Sequence, residues 1–155
     1  MAADLDRWKD ERDIIAVAVK YAIAVDARDW DSFRSCFTPD ASGDYSVHVP
    51  TYDALEANAR RLIPVTVTHH AVTNFQVEVD RDHATHRCHV VAFHYREGTP
   101  NGDTFTIRGA YRDRLVRTPN GWRISYRRLD RWHLEGNAAV IPPPLTDEAP
   151  HPMPA

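Results

Sequence analysis

Two periodicities divide the chain. Up to about residue 62, apolar side chains recur every three or four positions, and from about residue 65 they fall into long extended segments. Ile14, Ala18, Tyr21, Ala22 and Val25 mark one face of a helix from about Asp10 to Ala27. Asp29 can cap a second, short helix in which Trp30, Phe33 and Phe37 recur at three and four, before Thr38-Pro39-Asp40 stops it. Ser42 to Val49 reads as a short strand. Thr51 then caps a third helix carrying Tyr52, Leu55, Ala59 and Leu62, which Pro64 ends. Extended segments follow over roughly Val65 to Val79, Ala84 to Tyr95, Phe105 to Val116 and Trp122 to His133. Their links are Asp80-Arg-Asp-His83, the loop around Gly98 to Gly102, and Thr118-Pro-Asn-Gly121, all rich in turn formers.

Helices first and an antiparallel meander second predict an α+β domain, with the helices covering one sheet face. A strongly curved sheet closed in this way is a cone-shaped α+β barrel around a ligand-sized cavity. Residues 1–137 form this single domain. Residues 138–155, with prolines at 142–144, 150, 152 and 154, continue neither periodicity and read as an arm, a lid or a strap across a neighbouring subunit.

Composition narrows the function. The 155 residues, 43% of them hydrophobic, support one core rather than two. A net charge of -3 gives no electrostatic case for nucleic acid or an anionic membrane surface. The arginines from Arg108 to Arg131 are interleaved with Tyr111, Trp122, Tyr126 and Trp132, as on a solvated sheet face whose aliphatic stems pack on aromatics. Cys36 and Cys88 lack metal or redox spacing and read as buried free thiols. The charged N-terminus and the lack of a span-length apolar run lead us to expect a soluble, cytoplasmic protein. No glycine-rich phosphate loop or nucleophile elbow is present, so neither a nucleotide cofactor nor Ser or Cys nucleophile chemistry is expected. Of the nine histidines, His86 and His89 fall on opposite faces of one strand and cannot share an ion, so no metal is expected either.

The candidate chemistry is an acid on a helix and a histidine on a strand. Asp26 lies among apolar helix neighbours, and His70 follows about forty residues later in Thr68-His69-His70-Ala-Val-Thr-Asn74. A carboxylate bonded to one imidazole nitrogen fixes the tautomer and stabilises the imidazolium that forms when the other nitrogen takes a proton. The alternative is that Asp26 caps a helix or binds a backbone amide and His70 is a core residue. If His70 faces a cavity, Val72 and Asn74 face it too on an unbulged strand, and His69 points away. Cys88, Val90, Ala92 and His94 likewise share one side, with His94 either in the pocket or at its rim. Tyr21 can donate to a developing oxyanion or simply pack. Arg127 can bind a carboxylate, enolate or leaving group, although Arg128 is adjacent and a bulge would exchange them.

The phrases Asp26-Ala-Arg-Asp29-Trp30, Phe37-Thr-Pro-Asp40-Ala, Tyr111-Arg-Asp113 and Gly121-Trp122-Arg-Ile124, with the order of elements, resemble the SnoaL-like branch of the nuclear-transport-factor-two-like superfamily over about residues 8 to 135. The resemblance implies the cone fold. The superfamily includes dehydratases, isomerases, polyketide cyclases, epoxide hydrolases and members without catalysis. Within it, the residues look most like those of scytalone dehydratase, bile acid dehydratase and hexachlorocyclohexane dehydrochlorinase. That likeness implies His70 as the base, Asp26 as its support, Tyr21 as a pocket tyrosine and Arg127 as a pocket arginine. Tyr45 and His94 fall where scytalone dehydratase has a tyrosine and a second histidine, and the strand parity adds Val72, Asn74 and Val90 to the expected substrate contacts. Val25 replaces a further tyrosine, and that enzyme's pocket asparagine has no counterpart. The implied function is a cofactor-independent lyase that removes a proton from a small hydrophobic cyclic hydroxy-carbonyl compound. An isomerase or polyketide cyclase would use the same site. A non-catalytic binding or assembly subunit would have a filled cavity or a separated pair. A homodimer or homotrimer is implied as well.

Overall fold

A computed structural model of the chain describes residues 2–143, with side chains from residue 5 onward. Helix α1 covers Ala2–Ala27, and Ile14, Ala18, Tyr21, Ala22 and Val25 are buried along it as the spacing predicts. It starts earlier than the apolar stripe because no breaker interrupts residues 2–9, and an exposed Arg7 to Glu11 pair bridges its first turns. Asp10 fastens the helix to the sheet by accepting from Arg117 at 2.8 and 2.7 Å and from the Trp122 indole at 3.0 Å.

Asp29 caps α2, Trp30–Ser35, by accepting from the Ser32 amide. This helix is shorter than its aromatic spacing predicts. Phe37 is the first residue of strand β1, Phe37–Asp44, because the Cys36 carbonyl accepts from the Ile124 amide and Phe37 pairs with Ile124. Pro39, which donates nothing, lies where this parallel ladder is interrupted between Phe37 and Ser42. The strand expected from Ser42 to Val49 is in fact a hairpin. The chain reverses at Ser46, φ 74°, into the two-residue β2, His48–Val49. Thr51 caps α3, Tyr52–Arg60, as expected.

The four long strands are β3, Val67–Asp80; β4, His83–Tyr95; β5, Thr104–Thr118; and β6, Gly121–Gly136. They form an antiparallel meander, and β1 adds to β6 in parallel to give the order β2-β1-β6-β5-β4-β3. Register shifts at Thr73/Gln76, Arg108/Gly109 and Arg114/Leu115 mark bulges, which bend and twist the strands. Gly109 is required at one of them, since a Cβ there would stand 2.0 Å from the Asp130 carbonyl oxygen. The α+β cone expected from the sequence is thus the observed architecture, with α1 packed against β3 and β6 and α3 against β1. No described helix is long and apolar enough to cross a membrane.

The folded body extends beyond residue 137. Asn137 donates to the carbonyls of Pro100 and Gly102, a 3-10 turn follows over Ala138–Val140, and Val140 is fully buried. The rest of the proline-rich tail, residues 144–155, lies outside the described residues, and with it the expectation of an arm or strap.

Candidate active site

The end of α1 is locked to the start of β3 by a residue with left-handed backbone geometry. Arg28, φ 58°, donates to the carbonyls of Val25, Leu62 and Val65 and to the Thr68 hydroxyl. This clamp brings Asp26 to His70. The Asp26 Oδ1 is 2.6 Å from the His70 Nδ1, and Oδ2 accepts from the His70 backbone N–H at 2.8 Å. Burial alone would raise the carboxyl's pKa, but the bonds and charge of His70, helped by the Thr68 hydroxyl, hold it below the ordinary 3.8. An ionised Asp26 only accepts, so His70 Nδ1 carries the proton, and Nε2 is the nitrogen left to accept one when the ring is neutral. The His70 side chain is only 6% exposed, it lines the main cavity, and Nε2 has no protein partner among the described residues.

That cavity is about 630 Å³, within the usual size of a small-molecule pocket. Val25, Leu55, Val90, Ala92, Phe105 and Ile107 supply apolar wall. His94 stands beside His70, the two rings perpendicular with centroids 5.7 Å apart. Its Nδ1 faces the Phe105 carbonyl at 3.2 Å and must be the protonated nitrogen. Burial, with the proximity of His70, pushes its pKa down to about 4, so His94 is neutral near pH 7.

Tyr21, Tyr45 and Tyr111 line another part of the cavity. Burial first, and the neighbouring Tyr21 hydroxyl second, push Tyr45 and Tyr111 well up, so both stay protonated donors. Arg127 lies behind them. Its guanidinium is 4.0 Å from the Tyr21 ring centroid and 4.2 Å from that of Tyr111, and it grips Asp113 through two 2.7 Å bonds. Arg127 is completely buried and does not line the cavity, because Asp113 on the facing strand holds it there. It is therefore a support for the tyrosines rather than the pocket arginine the resemblance implies. The arginines that do line the cavity are Arg61 and Arg131.

Two more expectations are corrected. Asn74 has φ 56°, lies in the bulge between Thr73 and Gln76, and is exposed, since beyond this point Phe75, Val77 and Val79 turn inward instead. Val72 packs on the core without lining the cavity. Val90, Tyr45 and His94 line it as expected, and His69 is exposed on the opposite side of β3. Sequence reasoning missed Arg28, Tyr111, Arg61 and Arg131. Only Arg131 had a usable signal, its place two and four residues beyond the inward-facing Leu129 and Arg127. Burial pushes the Cys36 and Cys88 thiols up to about 11, which suits packing rather than nucleophilic attack.

Comparison with known proteins agrees with this architecture. The SnoaL-like domain family matches residues 6–128. The uncharacterized protein Rv2910c of Mycobacterium tuberculosis is 33% identical over 141 residues, covering 82% of this chain and 93% of that protein. The crystal structure of the Kfla4162 protein from Kribbella flavida superposes with a TM-score of 0.79 at 28% identity, covering 86% of this chain and 98% of that one. A hexachlorocyclohexane dehydrochlorinase, LinA Type2, shares the fold with a TM-score of 0.75 at 20% identity, over 92% and 98% of the two chains.

Proposed function

The chain belongs to the SnoaL-like domain family, and from that premise we propose that it is a lyase in which His70 removes a proton from carbon. One observation carries the reading: a histidine whose Nδ1 is held by an ionised carboxylate lines an apolar-walled cavity, and its other nitrogen has no partner among the described residues. A filled cone or a separated pair would have favoured a binding or assembly subunit. Family neighbours whose names denote elimination chemistry, LinA among them, support the reaction type.

In a cyclic hydroxy-carbonyl compound, His70 Nε2 takes the proton from the carbon next to the carbonyl. The C–H electron pair becomes the new C=C bond, and the hydroxyl on the adjacent carbon leaves. The imidazolium returns its proton to that hydroxyl, releasing water and restoring neutral His70, while Asp26 stays ionised throughout. Tyr21 and Tyr45 donate to the carbonyl oxygen as it gains charge, and the Arg127 cation behind Tyr21 favours that charge. A related isomerase or cyclase would share the first step.

The test is to incubate the protein in deuterated water with cyclic β-hydroxy ketones and follow both carbon deuteration and enone formation by NMR. Deuteration with enone formation, both lost in His70→Asn, is the expected result. Deuteration without enone would transfer the assignment to an isomerase or cyclase. No deuteration of any ketone would overturn proton abstraction.

A further inference from the structure

The cavity is chemically one-sided. Among the described residues that line it there are two arginines and two histidines but no aspartate or glutamate. Arg61 spends its donors on neutral groups, the Pro142 carbonyl at 3.0 and 2.7 Å and the Asn58 side-chain oxygen at 2.6 Å. Arg131 is partly buried, and its side chain makes no hydrogen bond or ion pair among the described residues. Elsewhere on the same sheet the pattern differs, for Arg112 and Arg128 both reach Asp130, and Arg108 reaches Glu135. Burial pushes the pKa of both Arg61 and Arg131 down, with no carboxylate acting in the other direction. A half-buried guanidinium without a counter-ion is held at a desolvation cost, which an incoming anion would offset.

We propose that the ligand of this cavity carries a carboxylate, which Arg131 binds as a two-pronged partner and Arg61 attracts from the rim. The inference rests on the cavity being the ligand site, as in the function proposed above, and it narrows the substrate class to hydrophobic ring acids. Strand register gives the required length. His70 opposes Ala92, Ala92 opposes Ile107 and Ile107 opposes Leu134, whereas Arg131 opposes Gly109, which opposes Val90. Arg131 therefore lies three strands from His70 and two residues along, roughly 16 Å around the curved wall at ordinary strand spacing and less across the cavity. A fused bicyclic or tricyclic acid spans that gap with its carboxylate on Arg131 and a ring carbon before His70. The bulge at Gly109, pressed against the Asp130 carbonyl, fixes the strand where Arg131 turns inward.

The test is a calorimetric binding comparison using matched pairs of one- to three-ring carboxylic acids and their methyl esters, from benzoate through 2-naphthoate to anthracene-2-carboxylate. The full chain is used, with a second preparation carrying Asp147→Asn and Glu148→Gln so that its own tail carboxylates cannot compete. For at least one pair, the acid is expected to bind roughly ten-fold tighter than its ester, as a charge-assisted bond provides. That preference should vanish in Arg131→Met, shrink in Arg131→Lys and persist in His70→Asn. Equal binding of acid and ester in every pair, or binding of neither, overturns the proposal, as does a preference that survives in Arg131→Met. Because His70→Asn leaves this readout intact, failure of proton abstraction and failure of carboxylate binding are told apart.

Discussion

Three aspartate–histidine pairs occur among the described residues; Asp44–His48 is exposed, and the other two are built from the same groups at nearly the same distance in very different surroundings. Asp26 meets His70 Nδ1 at 2.6 Å, and Asp113 meets His86 Nδ1 at 2.8 Å. In the first pair, the second carboxylate oxygen takes a backbone N–H, and the histidine lines the cavity with its far nitrogen unpartnered among the described residues. In the second, the carboxylate also holds Arg127 through two bonds, and the far nitrogen of His86 is sealed without a partner, its ring stacked on Phe75. Access, not the pair itself, separates the histidine proposed as a base from the one that serves as a strut. The buried Arg127, Asp113 and His86 hold up the tyrosine floor, while Asp26 and His70 present a lone pair to whatever enters.

Substitution at the two histidines is the sharpest way to separate the pairs. His70→Asn should reduce carbon deuteration by about 10²- to 10⁴-fold, the usual worth of a positioned base, whereas His86→Asn should leave it within a few-fold. Paired rate measurements on one substrate would check this. The aspartates should reverse the ranking in stability. Asp113→Asn leaves the fully buried Arg127 without a counter-ion and should cost about 3–5 kcal/mol in urea unfolding. Asp26→Asn, in a more open setting, should cost clearly less while abolishing turnover.

Acid should expose the same contrast. Both carboxyls lie below the ordinary 3.8: burial pulls each upward, but His70 outweighs it at Asp26 and Arg127 outweighs it at Asp113. A depressed folded pKa gives stability that is present above the unfolded value and lost as pH falls through the folded one. Unfolding midpoints should therefore drop below about pH 3.8, and less steeply in Asp113→Asn. The smallest effect belongs to His94. Its folded pKa near 4 lies below the free value of 6.5, so the unfolded chain binds the extra proton and stability declines as pH falls from 6.5 toward 4. In His94→Gln that slope should flatten, as pH-dependent thermal melts would register.

Most of the fold was legible because it is written in period. The buried face of α1, the caps at Asp29 and Thr51 and the four long strands all follow from spacing and turn chemistry. Asp26 stood out as an acid among apolar helix residues, and the parity of β3 tied Val72 and Asn74 to the face of His70 and set His69 on the other. Parity then failed at the first bulge, which turned Asn74 out and Phe75 in. Arg127 and Arg131 share a face of β6 and were not separable by alternation, since what distinguishes them is Asp113 on the neighbouring strand. Phe37 fits a helical spacing, yet the Cys36 carbonyl pairs with a strand almost ninety residues away, a contact that no local pattern contains. Arg28 gave no warning either, because a left-handed arginine is forced by the three carbonyls it gathers.

The 3-10 turn at Ala138–Val140 sits at the edge of the cavity whose floor is laid by the first half of the chain. Ala138, Ala139, Ile141 and Pro142 join that edge after the last strand has ended, and Arg61 reaches across to the Pro142 carbonyl. The barrel does not depend on the wording of this short stretch beyond the anchor at Val140. The proposed acid–base pair and this stretch of cavity lining are thus supplied by segments about seventy residues apart, Asp26 and His70 before the last strands and residues 138–142 after them, so a substitution in one can reshape the lining without touching the other.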